Sequence, residues 1–157
     1  MHGPSPNHDE RELRPRDEPT GLWQRVDDLS SGGAEVLFLS LPGLVVLVNS
    51  GYRPADVSFA ALVSLLVVTV GVTARSRWVD ADPPWPNWRV STVVFRVLYY
   101  SLTMLLLGVV GGFVAGAIGG LVGLAVVVVL LAGLGTVAVA ALPRLAATLL
   151  PDPRPYR

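Results

Sequence analysis

The sequence predicts an all-α fold: a polytopic integral membrane protein, a bundle of four transmembrane helices with a disordered N-terminal tail. Three observations predict it. The run from Val97 to Leu142 carries no charged residue from end to end. Two further apolar runs, about 34–51 and 57–74, precede it. Charged residues make up only 15% of the chain and, Glu35 apart, fall outside these runs, whereas a soluble domain carries about 25%.

Residues 1–19 read as a cytoplasmic tail. They mix both charge signs, hold Pro4, Pro6, Pro15 and Pro19, and have almost no large apolar side chains. Such a segment cannot bury enough surface to offset its ordering entropy. His2 and His8 lie beside Asp9 and Glu10 without metal-ligand spacing, so a solvated tail is expected there. No short basic region followed at once by an apolar core opens the chain. The first apolar stretch is therefore expected to act as an uncleaved anchor.

Residues 20–33 read as an interfacial helix and a linker. Thr20 can cap the helix. Leu22, Trp23, Val26 and Leu29 share one face, as in a helix lying against headgroups. Ser30-Ser31-Gly32-Gly33 is expected to end it. The first span, about 34–51, has Pro42-Gly43 in its middle, which predicts a kink at Pro42. Tyr52 suits an interfacial anchor. The second span, about 57–74, has only Ser and Thr as polar residues.

The loop 75–92 carries Pro83, Pro84 and Pro86, which forbid a helix, and Trp78, Trp85 and Trp88. Indole rings settle at headgroup level, so a membrane-surface loop is expected. Asp80 and Asp82 near Arg75 and Arg77 read as a solvated surface.

The remaining apolar stretch holds about 50 residues, about 75 Å as one helix, against a hydrocarbon core of about 30 Å. It must reverse once. The spans are set at about 93–116 and 120–142, with the turn in the glycine cluster from Gly116 to Gly120 and Pro143 ending the last helix. Residues 143–157 form a cytoplasmic C-terminal tail. Gly108, Gly112, Gly116 and Gly120 recur at four-residue spacing, with Gly111, Gly119 and Gly123 beside them. Small residues at that spacing let helices approach closely. The first of them are expected to thin the seam between spans three and four, and the later ones to make the turn. The same stripe is a candidate seam for a homo-oligomer.

Ten arginines, in the N-terminal segment, the 75–92 loop and the C-terminal tail, would lie on one side of four spans, and Arg53 alone on the other. The positive-inside rule then makes both termini cytoplasmic and the chain a multi-pass protein of the cell membrane. All 12 basic residues are Arg, which points to a GC-rich coding bias.

Glu35 and Arg96 fall just inside the lipid boundary at the cytoplasmic end. An intramembrane charge is costly and a functional suspect. Separate snorkelling of each to the interface is the commoner outcome; an ion pair between them is the sharper alternative. Tyr99, Tyr100, Ser101 and Thr103 are expected to bond a neighbouring backbone rather than line a cavity. No ionisable residue lies at mid-span, which disfavours proton pumps and voltage sensors.

Formal net charge is zero, which supplies no field for nucleic acid. With no Cys, disulfides and thiolate sites are excluded. Neither a catalytic constellation nor a cofactor or metal motif is legible. The expected partners are the lipid bilayer and a second copy or another membrane protein. The leading reading is a non-enzymatic scaffold or interaction subunit. The alternative is a small channel or transporter subunit that forms a pore by oligomerising.

Overall fold

A computed structural model describes residues 21–51, 53–86 and 88–150. The tail 1–19, the Thr20 cap, the Tyr52 anchor and residues 151–157 lie outside the described residues. Within them there is no strand. Four helices run α1 (Leu22–Val48), α2 (Pro54–Thr73), α3 (Val90–Ile118) and α4 (Gly120–Leu149), and a π-helical turn, Ala74–Trp78, extends α2. With that turn counted, the helices have 25 to 30 residues. That makes them about 37 to 45 Å long, each enough to cross a bilayer core.

The helices alternate in direction. α2 and α3 both pack against every other helix, while α1 and α4 have at most marginal contact. The bundle is thus a rhomb with α2 and α3 on its short diagonal. Val36, Ala60, Val68, Val72, Met104, Leu107, Val127, Leu131 and Leu142 fill the interior. The outer faces expose Phe38, Leu62, Leu66, Leu98, Phe113 and Val129. Apolar surface turned outward on all four helices is what a bilayer, not water, accommodates.

Several boundaries differ from the sequence expectation, each for a packing reason. Ser30-Ser31-Gly32-Gly33 does not end a separate interfacial helix; α1 is continuous through it. Gly32 is buried, and a Cβ there would run into the Thr73 side chain, while Gly33 faces Thr69. These glycines admit α2 to close range, and that contact offsets their poor helix propensity. Likewise Pro143 does not end α4. It is fully buried within the helix, between buried Leu142 and Ala146.

The reversal is also shorter than expected. Gly116 is still helical, and the turn is confined to Gly119 (φ 68°, ψ 169°) and Gly120 (φ 59°). Only glycine adopts the Gly119 conformation without strain.

The glycine stripe faces other partners than the sequence suggested. Gly108 abuts Leu47 of α1, and Gly112 abuts Val57 of α2. Gly116 faces Asp56 of α2. Only the second row reaches α4: Gly111 meets Leu131 as well as Ala60, and Gly123 of α4 packs on Ala115 and Ile118. Residues four apart share a face, and in a rhomb that face of α3 points to α1 and α2.

Pro42 sits inside α1 with no break in the helix. Its ring leaves the Phe38 carbonyl without an amide partner. One residue on, Ser101 Oγ of α3 donates to the Leu39 carbonyl at 3.3 Å. Gly43 follows Pro42, and a Cβ there would lie 2.7 Å from Ser101 Cα and nearer still to its carbonyl oxygen. α1 and α3 therefore cross in backbone contact at this point.

Candidate functional site

The buried ion pair of the bundle and the groups around it lie at one end, where α1 and α3 begin and the 79–89 segment, here called the strap, joins α2 to α3. Arg96 is its centre. Its side chain is 0% exposed, one turn and a half into α3. Nη1 donates to Glu35 Oε1 at 2.9 Å, and Tyr100 Oη donates to the same oxygen at 3.1 Å. Nη2 donates to the Pro86 carbonyl. The guanidinium carbon lies 4.8 Å from the Trp88 ring centre and 5.6 Å from that of Trp85. A carboxylate, a carbonyl and two ring faces thus surround one cation.

The local sequence explains the arrangement. Arg96 and Tyr100 are four apart on α3 and so project on one face. α1 and α3 run parallel, which brings Glu35 level with both. Prolines at 83, 84 and 86 keep the strap out of a helix, so that its carbonyls are free to accept. Arg75 Nη2, in the π-helical turn, donates to Ala81 O at 2.6 Å and also to Pro83 O. Two arginines, one at each end of the strap, therefore hold its backbone onto the bundle.

Asp28 completes the cluster. Arg77 Nη1 meets its Oδ1 at 2.7 Å, and the Trp78 indole N–H donates to Oδ2 at 3.1 Å. Asp28 and Glu35 are seven residues apart, two helical turns. α1 thus carries an acidic seam that pairs first with the end of α2 and then with α3.

Glu35 and Arg96 pair directly instead of snorkelling apart. Trp85 packs against the core rather than resting on a membrane surface, and Trp88 remains 65% exposed. Tyr99 Oη donates to Ala138 O of α4 at 2.6 Å, and Ser101 bonds Leu39 O, so these groups tie helices together through a neighbouring backbone. Arg75 and Arg77 are engaged with the strap and with Asp28, not with Asp80 and Asp82. The role of Asp28 was missed in the sequence, although its seven-residue offset from Glu35 was a usable signal.

Burial has a cost here. Among the described residues, Arg96 Nε and Thr73 Oγ1 are buried without a hydrogen-bond partner. The Trp88 face beside the guanidinium offsets part of the loss at Nε through cation–π attraction. Thr73 Oγ1 lies against Gly32, where weak Cα–H···O contact is the remaining option. Among the described residues no group of three or more His, Asp or Glu side chains converges as a metal site would require. The cluster can neutralise, orient and clamp.

Away from this end the bundle has an apolar groove of about 410 Å³ between α1 and α2, lined by Leu37, Leu44, Val57 and Leu65 among others. A smaller cleft of about 250 Å³ opens between α2 and α3 at the opposite end.

Neither the curated proteins nor the solved structures include one that matches the chain. The family model described as "Domain of unknown function (DUF8215)" matches residues 19–149, which takes in all four helices, the strap and both carboxylates of the acidic seam, and the chain belongs to that family.

Proposed function

We propose that this chain is a non-enzymatic scaffold or interaction subunit of the cell membrane, with both termini in the cytoplasm. The observation that carries the reading is the sealed interior. Among the described residues the core is mostly Val, Leu, Ala and Met, its buried hydroxyls at Ser40, Ser64 and Thr103 being scattered singly, and it is drawn tight by Gly43, Gly108 and Gly111. The buried ion pair, Glu35–Arg96, sits at an end and is closed over by the strap. Conduction needs a polar-lined path, and a site for catalysis needs groups converging on a space. A close-packed, clamped bundle suits holding surfaces in place. The arginine distribution supports placing the strap end inside.

The test is reconstitution of the full chain into vesicles, with cross-linking in native membranes beside it. No ion or solute flux above empty vesicles, together with one discrete cross-linked membrane assembly, is expected. Flux that scales with protein would replace the scaffold with the pore-forming subunit. A chain that stays a lone monomer in native membranes would refute both.

A further inference from the structure

The cleft between α2 and α3 is lined by Arg53, Asp56, Val57, Gly112, Phe113, Gly116 and Ala117. Its chemistry is unlike that of the rest of the surface. Arg53 and Asp56 carry opposite charges and sit three residues apart at the start of α2, yet they form no ion pair with each other. Arg53 is exposed and Asp56 half-buried. The floor is glycine: a Cβ on Gly116 would stand 3.4 Å from Asp56 Oδ2. The absent side chain keeps that carboxylate oxygen reachable from the cleft.

The depth is set by α3. Arg96 and Gly116 are 20 residues apart on one helix, about 30 Å, the thickness of a hydrocarbon core. If the Arg96 clasp marks one boundary of the bilayer, the cleft marks the other and opens at the level of lipid headgroups. Phe113, 69% exposed, lies on the hydrocarbon side of it.

We infer that this cleft binds the zwitterionic headgroup of an aminophospholipid, with Arg53 on the phosphate, Asp56 on the primary ammonium and the acyl chains descending past Phe113. The charges select the class. A guanidinium pairs well with phosphate. A carboxylate at the floor accepts hydrogen bonds from an ammonium and repels a second negative charge. Phosphatidylethanolamine satisfies both groups. Phosphatidylglycerol leaves Asp56 opposed or unmatched. Phosphatidylcholine offers no N–H donor, and a lone Phe113 is no aromatic cage for its quaternary nitrogen. The inference goes beyond the scaffold reading and needs only that the bundle crosses a bilayer.

The full chain in mild detergent is offered equal amounts of phosphatidylethanolamine, phosphatidylglycerol and phosphatidylcholine with identical acyl chains. It is then washed, and the lipid retained per protein is counted by mass spectrometry. Retention of phosphatidylethanolamine about fivefold above either competitor is expected, the scale of one partly screened charge pair. Asp56→Asn should erase the preference over phosphatidylglycerol while leaving phosphate-dependent retention. Arg53→Gln should lower retention of all three. Gly116→Val should lower phosphatidylethanolamine alone by covering the carboxylate; should it misfold, the two charge variants decide. Equal retention of the three lipids, or a preference that survives Asp56→Asn, overturns the inference. The readout uses purified chain with no partner present, so its failure is separate from failure of the scaffold reading.

Discussion

Removing one member of the Glu35–Arg96 pair tests the logic of the buried cluster. In Glu35→Ala the guanidinium remains, 0% exposed, with only the Pro86 carbonyl and two indole faces around it. An uncompensated buried charge costs about 3–5 kcal/mol. In Arg96→Met the carboxylate remains, but it is 14% exposed and keeps the Tyr100 hydroxyl. That residue of solvation and hydrogen bonding should bring the loss to about 2–3 kcal/mol. The double variant, Glu35→Ala with Arg96→Met, strands no charge and should cost less than Glu35→Ala alone. The four proteins are unfolded reversibly in mixed micelles, helicity is followed by circular dichroism, and a double-mutant cycle is built. Tryptophan emission supplies a second readout, since loss of Arg96 frees Trp85 and Trp88 in particular. Additive single effects, or singles below about 1 kcal/mol, would show that the pair is merely adjacent and refute the reasoning.

Two backbone predictions follow from the glycines. Gly43→Ala must push the α1 and α3 backbones apart at Ser101, so a loss of about 1–3 kcal/mol is expected, whereas Gly133→Ala, with nothing within 4 Å of its Cβ position, should be neutral or gain up to about 1 kcal/mol of helix propensity; the same unfolding titration reads both. Gly119→Ala places a side chain at φ 68° and ψ 169° and should cost about 1–3 kcal/mol, visible as a lowered thermal midpoint in detergent.

The number of helices was legible because it follows from length and apolarity alone. The run of 46 uncharged residues from Val97 to Leu142 has to fold back in a bilayer, whatever it packs against. Boundaries and partners were not legible in the same way. Ser30 to Gly33 has the composition of a linker, and it is helical only because α2 offers Thr69 and Thr73 to a surface without side chains. Pro143 is a helix breaker by chemistry and is overruled by burial. The four-residue glycine spacing correctly marks a close-packed face, but spacing carries no information on which helix that face meets. Glu35 and Arg96 stood out by type and depth. The strap did not, because its contribution is backbone carbonyls, which every residue has.

The two outer helices of the rhomb are held by different means. In a bilayer, burial of apolar side chains does little to drive helices together, since lipid tails are equally apolar; fit and polar contacts decide. α1 is tied by directional groups: Asp28 to Arg77 and Trp78, Glu35 to Arg96 and Tyr100, and the Leu39 carbonyl to Ser101. α4 is tied mainly by shape, with Val139 at Gly71, Gly135 at Val67, Leu131 at Gly111 and one hydrogen bond, from Tyr99 to Ala138. Polar substitutions should therefore loosen α1 and leave α4 in place, while volume changes at Gly71 or Gly135 should do the reverse. Because α1 and α4 have at most marginal contact, either can shift without dragging the other, and the α2–α3 pair is the part of the bundle that both must leave intact.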